Sequence, residues 1–131
     1  MCKLPSGRCI GYPDAELRNT LTPWGQEKLS LTYMGKNSYT NQWERLSTHG
    51  GKLVEKITQA VARDLLAMAM LRLEAHGYPI VLHVHDEVIA EVLKGLANLD
   101  RFCAIMAQLE PWAKGFPIKA EGWVGQRFKK G

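Results

Sequence analysis

The chain has 131 residues, 46% of them hydrophobic, which is enough for one compact domain with a single core and too few for two. Its 17 Lys and Arg against 13 Asp and Glu give a formal charge of +4, a mild bias toward anionic partners and well below that of a protein built to coat nucleic acid. Cys2, Cys9 and Cys103 are odd in number, show no CxxC spacing and follow no signal peptide, which argues against a disulfide framework or a zinc knuckle and for a reducing, cytoplasmic setting. The most apolar stretch, Ala60 to Leu73, is interrupted by Arg63, Asp64 and Arg72, so no membrane-spanning segment is expected.

In chain order, residues 1–49 are the least regular part. Pro5, Gly7, Gly11, Pro13, Pro23, Gly25 and Gly35 separate short apolar pieces such as Arg8–Tyr12 and Leu29–Met34, which read as short strands joined by turns. Leu29-Ser30-Leu31-Thr32-Tyr33 alternates apolar with polar, the pattern of a half-buried strand.

Residues 50–131 read as a helix-hairpin-helix-strand core. Gly50-Gly51 opens a long amphipathic helix in which Leu53, Ile57, Ala60, Val61, Ala67 and Met68, with Asp64 and Leu71 between and beyond, recur at three- and four-residue steps until Gly77-Tyr78-Pro79. Lys52, Lys56, Gln59 and Arg63 fall at helical spacing on its other side and form a polar, positive stripe; by itself such a stripe is a solvated face. Ile80–Val84 and Val88–Val92 are rich in β-branched residues, and the link between them is too short for a parallel crossover, so they form an antiparallel hairpin with His85, Asp86 and Glu87 at its tip. After Gly95 a second helix is expected to about Leu109, ended by Pro111, and Ile118–Val124 supplies a last strand before the basic tail Arg127-Phe128-Lys129-Lys130. Trp24, Trp43, Trp112 and Trp123 are scattered, and packing rather than base stacking is expected of them. The order of elements gives an α+β fold, an antiparallel sheet with helices packed on one face.

Two adjacent carboxylates at a hairpin tip diverge, so Asp86 and Glu87 together do not complete a metal site. Asp-Glu is also ordinary turn chemistry. A hard cation such as Mg²⁺ takes one or two protein carboxylates plus substrate phosphates, a role that a single Asp on a rigid hairpin serves.

Val84-His85-Asp86-Glu87-Val88 resembles the V-H-D-E-[LV] signature, motif C, of family A DNA polymerases. Gln59-Ala60-Val61-Ala62-Arg63-Asp64-Leu65-Leu66 resembles the helix that precedes motif C in that family, at the family's distance. Leu4-Pro5-Ser6-Gly7-Arg8, the strand with Leu31-Thr32-Tyr33, and Trp43 to Glu55 with Gly50-Gly51-Lys52-Leu53-Val54-Glu55 are similar to its phage and prophage branch. The resemblance covers nearly all of the chain and implies that residues 1–131 are a single domain, the C-terminal portion of the polymerase palm. It implies template-directed nucleotidyl transfer with two Mg²⁺ or Mn²⁺ ions, Asp86 as metal ligand, Glu87 supporting the metal geometry and His85 contacting the primer end. Gln59 is implied at the minor groove near the primer terminus. Lys56 and Arg63 are read with Gln59 as contacts to the duplex, Lys52 and Arg8 as phosphate contacts, and primer-template DNA and dNTP as partners in the complete enzyme.

The family's D-x-S-x-x-E segment, with the second metal-binding Asp, and its nucleotide-binding helix have no counterpart here. Asp14-Ala15-Glu16-Leu17-Arg18 resembles the E-L-R end of that segment, but Gly11 stands five positions before Glu16, where the Asp belongs. The isolated chain is therefore expected to be inactive, needing a missing N-terminal polymerase half, with a homodimer through exposed apolar surface as another assembly. Two rival readings remain: a non-catalytic DNA-binding or interaction remnant, and a hydrolase with a transition metal on His83-x-His85-Asp86. For His83 the sequence favours a partly buried strand residue.

Overall fold

The structure, a computed structural model, describes residues 1–128; Lys129 and Lys130 of the expected basic tail lie outside the described residues. The chain divides into two compact units, Met1–Val61 and Ala62–Gly131. One long helix runs from the first into the second.

In the first unit, β1 (Cys2–Lys3) and β2 (Cys9–Ile10) form a small hairpin. Its turn has Pro5 fixing one backbone angle and Gly7 at φ +89°, a left-handed conformation that glycine adopts without steric cost. β3 (Glu16–Leu21), β4 (Glu27–Lys36) and β5 (Trp43–Thr48) follow as an antiparallel meander in the order β3-β4-β5. The short strands and turns expected here join into one sheet, and its central strand, ten residues long, extends beyond the expected Leu29–Met34 piece at both ends.

Burial along β4 departs from simple alternation. Thr32 is buried and Leu29 exposed. Thr32 is tolerated inside because its hydroxyl is satisfied, donating to the Glu16 carbonyl at 3.1 Å and accepting from Arg45 Nη1 at 3.2 Å. Arg45 also pairs with Asp14 and with Glu16 Oε1, and Arg18 Nε reaches the same Glu16 oxygen at 2.6 Å.

On the opposite face of β4, Tyr33 meets Tyr12 edge-on, with ring centroids 5.1 Å apart. The Tyr12 hydroxyl is buried without a hydrogen-bond partner among the described residues, and burial, with lesser contributions from Cys2 and Tyr33, raises its pKa above 10.0. Folding therefore favours the protonated phenol. That contribution is fully present below the unfolded pKa and is lost as pH rises through the folded value, so stability should fall on the alkaline side of pH 10.0. Tyr12→Phe should remove this term at no loss of neutral-pH stability, which urea titrations on both sides of that pH would read.

The second unit begins within α1 (Gly50–Ala75). The helix ends as the sequence predicts: Gly77 at φ +82° lets the Gly77 N–H reach the Glu74 carbonyl and the Tyr78 N–H the Leu73 carbonyl, and Leu73 and Tyr78 pack together. The face that α1 buries here is Leu66, Ala69 and Leu73 rather than one including Ala67, Met68 and Leu71; Leu71 is 63% exposed.

β6 (Ile80–Val84) and β7 (Glu87–Ala90) form the expected antiparallel hairpin, with a register shift between Ile80 and Leu82. α2 (Leu99–Met106) is shorter than expected. Asn98 caps it by accepting from the Arg101 N–H, and Pro111 opens a 3-10 turn, Pro111–Ala113, instead of closing the helix.

Leu73, Tyr78 and Ile105 form the core of this unit, with Ile80, Val88 and Ala90 from one face of the hairpin and Phe102 and Met106 from α2 packed around it. Both helices thus pack on one hairpin face. Arg72 fastens the arrangement, donating from Nη2 to the Gln108 carbonyl at 2.7 Å and pairing with Glu110 at 2.5 Å.

The α+β class is as expected, with every strand pair antiparallel. Two features differ. The strands form three separate sheets instead of one, and Ile118–Val124 is not a strand. This segment instead passes close to α2, where a Cβ on Gly122 would lie 3.1 Å from the Leu99 side chain, and an Ile118 N–H to Phe116 carbonyl bond turns its start away from extended geometry.

Candidate active-site hairpin

Val84 pairs with Glu87, so His85 and Asp86 are the whole loop of a two-residue hairpin. His85 takes φ +52°, while Asp86 does not have positive φ. Positive φ at the first loop residue only is the pattern of a tight hairpin turn in which glycine is the usual occupant. His85 therefore holds a strained conformation, and His85→Gly should stabilise the chain by about 1 kcal/mol. His85→Ala, which keeps a Cβ, should bring no such gain; equilibrium urea unfolding of both variants checks this.

Pairing fixes the faces. Val88 and Ala90 point to the core, whereas Leu82, Val84, Glu87 and Ile89 share the outer face. His85, Asp86 and Glu87 are all exposed, and none makes a side-chain hydrogen bond or ion pair among the described residues. His83 is exposed too, contrary to its expected partial burial, because the hairpin core is covered only as far as Val88. Beside β6 an open groove is lined by Met70, Leu71, Glu74 and Ile80 to His83.

No group of three or more His, Cys, Asp or Glu able to hold a metal forms among the described residues. His83, His85 and Asp86 are thus not assembled into a self-contained transition-metal site. A site completed by substrate phosphates and other protein segments asks only one carboxylate of this tip, which Asp86 offers.

Lys52, Lys56, Gln59 and Arg63 are exposed on α1 within one narrow angular sector, spanning about 16 Å of helix. Gln59 Nε2 donates to Glu55 Oε1 one turn earlier at 3.2 Å. Arg8 lies against the same helix, its Nη2 donating to the Ala60 carbonyl at 3.0 Å. Sequence reasoning passed over the Arg45 cluster and the face of β3–β5 around it; the signal was present in the alternation of Glu16, Arg18, Thr20 and of Lys28, Ser30, Thr32. Trp24, Trp43 and Trp123, expected to pack, are 86%, 64% and 55% exposed.

The chain is similar to a phage DNA polymerase. It is 47% identical over 130 residues to the protein named DNA polymerase of Bacillus phage SP02. The match takes in 98% of this chain and 19% of that protein, so the chain spans about a fifth of the length of the relative it matches. No family model matches the chain, and no solved structure matches it. No helix among the described residues is long and apolar enough to cross a membrane.

Proposed function

We propose that the chain is the C-terminal palm section of a family A DNA polymerase of the phage and prophage branch. It takes part in template-directed nucleotidyl transfer in the cytoplasm, and only together with the rest of the polymerase domain. The observation that carries this reading is the 47% identity to a phage DNA polymerase through 98% of the chain. The exposed Asp86 at a rigid hairpin tip, within the motif C-like sequence, supports it.

The tip residues fit one corner of a divalent-metal site: Asp86 is a solvent-facing carboxylate with no competing partner among the described residues, and Mg²⁺ or Mn²⁺ is satisfied by few carboxylates and several phosphate or water oxygens. Asp86, with carboxylates of the complete polymerase domain, would hold such ions, which would supply Lewis-acid activation of the primer 3′-hydroxyl and charge neutralisation at the transferred phosphoryl group. In this reading Asp86 is the ligand this chain supplies. Glu87, on the outer hairpin face, holds the local geometry, and His85 meets the primer end. Gln59 checks the terminal pair in the minor groove, where acceptors are alike for all pairs. Lys52, Lys56, Arg63 and Arg8 add phosphate contacts that carry no sequence preference. In this reading the second carboxylate and the nucleotide-binding helix would come from the rest of the polymerase domain.

The apolar surface supports an incomplete domain. Leu71, Val81 and Leu82 beside the groove are 63%, 58% and 47% exposed, a cluster suited to being covered by further polymerase. A homodimer through the same surface is the competing assembly, and light scattering on the purified chain distinguishes the two.

The decisive experiment is primer extension by the chain alone and by the chain co-expressed with the N-terminal section of a similar phage polymerase. Synthesis is expected only in combination and only with a divalent ion. Robust synthesis by the chain alone would refute the incompleteness, and none in combination would favour a DNA-binding remnant.

A further inference from the structure

We infer that the polar face of the β3–β4–β5 sheet is a binding surface for the sugar-phosphate backbone of a DNA strand, with Trp43 as a stacking platform at its edge. The choice of DNA as the polyanion rests on the polymerase reading; the surface itself comes from sheet register and charge.

Pairing of Arg18 with Ser30, Thr20 with Lys28 and Lys36 with Trp43 places these side chains on one face. The Thr20 hydroxyl donating to Ser30 Oγ at 2.8 Å and the Arg45 contact to Thr32 lie on that face as well. The other face carries Leu17, Leu29, Leu31 and Tyr33, so the sheet is amphipathic. Four cations, Arg18, Lys28, Lys36 and Arg45, stand on or at the edge of the polar side with two carboxylates, Asp14 and Glu16.

Both carboxylates are already engaged by Arg45 and Arg18. Lys28 and Lys36 are exposed and make no ion pair among the described residues, so the surplus positive charge sits on them, at the two ends of β4 and about 26 Å apart. Arg18 keeps donors to spare, since its pair with Glu16 uses Nε alone. Spaced cations along a strand suit a chain of phosphates, each contact adding affinity without reading sequence.

The aromatics point the same way. Trp43, 64% exposed, stands directly across from Lys36. Trp24, 86% exposed, lies in the β3–β4 turn, close in sequence to Lys28. At the Lys36 end a lysine and a bare indole stand side by side across β4 and β5, a pairing that suits a single strand whose bases stack while its backbone follows the charge.

The test is fluorescence anisotropy with the full chain, using a labelled single-stranded oligonucleotide of about 20 nucleotides and the matching duplex, across a salt series. The variants are Lys28→Glu with Lys36→Glu, the milder Lys28→Gln with Lys36→Gln, Trp43→Ala, and Lys56→Glu with Arg63→Glu on α1 as the comparison. Each altered side chain is exposed, and circular dichroism checks that each variant keeps its structure. The sheet pair is expected to weaken binding about ten-fold or more at low salt and to reduce the log–log salt slope by about 1.4, with the glutamine pair intermediate. Trp43→Ala should cost roughly ten-fold on the single strand and much less on the duplex.

Binding and slope within twofold of the unaltered chain in both sheet variants would overturn the inference, as would failure of the unaltered chain to bind either DNA at low salt. Loss confined to the α1 variant also overturns it and leaves the polymerase reading standing. Loss in the sheet variants, with no primer extension by the complemented chain, upholds the surface and removes the polymerase reading.

Discussion

Asp86→Asn should reduce primer extension by the complemented chain by about a thousandfold or more while leaving the isolated chain as stable as before. The size follows from the reaction class. Phosphoryl transfer has little protein covalent chemistry, so rate depends on placing and neutralising oxygens, and in the proposed role the Asp86 carboxylate would link the protein to the ions that do so. Asparagine preserves the shape and keeps one neutral oxygen, but loses the charge that makes a hard cation bind.

The neutral effect on stability follows from exposure. Asp86 makes no hydrogen bond or ion pair among the described residues, so folding gains nothing from its charge. Glu87 starts β7 on the outer face; under the proposed role, in which it supports the metal geometry and is not itself the ligand, Glu87→Gln should be milder, about ten-fold. Single-turnover extension over a range of Mg²⁺ concentrations reads both effects. A complemented Asp86→Asn chain working within ten-fold of the unaltered one would remove Asp86 from the metal site.

Leu73→Ala should destabilise the second unit by about 3 kcal/mol, the largest single-residue effect expected on the fold. Leu73 is the largest fully buried side chain among the described residues and sits where three elements meet: α1, the hairpin and α2. Truncation removes the contacts that place Val88 and Ala90 against the helices, and the surrounding side chains refill the space only in part. Fully buried hydrophobic residues are few here, with Leu73, Tyr78, Ile105 and Ala113 carrying most of this unit's interior beyond α1's own Leu66 and Ala69. A thin core leaves little reserve, because domain stabilities are only about 5–15 kcal/mol. Leu71→Ala, two residues away on the exposed side, should cost under about 1 kcal/mol, and the contrast between the two in urea titrations tests the buried face of α1 directly.

That contrast also shows where sequence periodicity gave out. From Leu65 to Leu71 the helix is apolar almost all round, and a pattern with no polar side has no direction. Leu66, Ala69 and Leu73 were chosen by the hairpin and α2 packing against them, which no window along the helix contains. The meander of β3–β5 suffered differently. Its turns are legible in Pro23, Gly25 and Asn37 to Gln42, but Thr32 reads as an outward residue until Arg45, thirteen positions on, is seen to satisfy it.

Local chemistry determined much of this protein from sequence. The end of α1 at Gly77 follows from the glycine's tolerance of positive φ, and the β6–β7 hairpin follows from a link too short for any crossover. The His85-Asp86-Glu87 tip was visible for the same reason: its residues are neighbours in the chain, and two loop positions leave little freedom. Tertiary structure decided what depends on distant partners. It settled which side of α1 is buried, the separation of the strands into three sheets, and the fate of Ile118–Val124, which found no strand to pair with and lies by α2 instead. It also showed that His85 adopts a glycine-like backbone, since the cost of that φ becomes apparent only when Val84 and Glu87 are paired across it. Short-range sterics are written in adjacent residues; burial is a property of whatever happens to lie opposite.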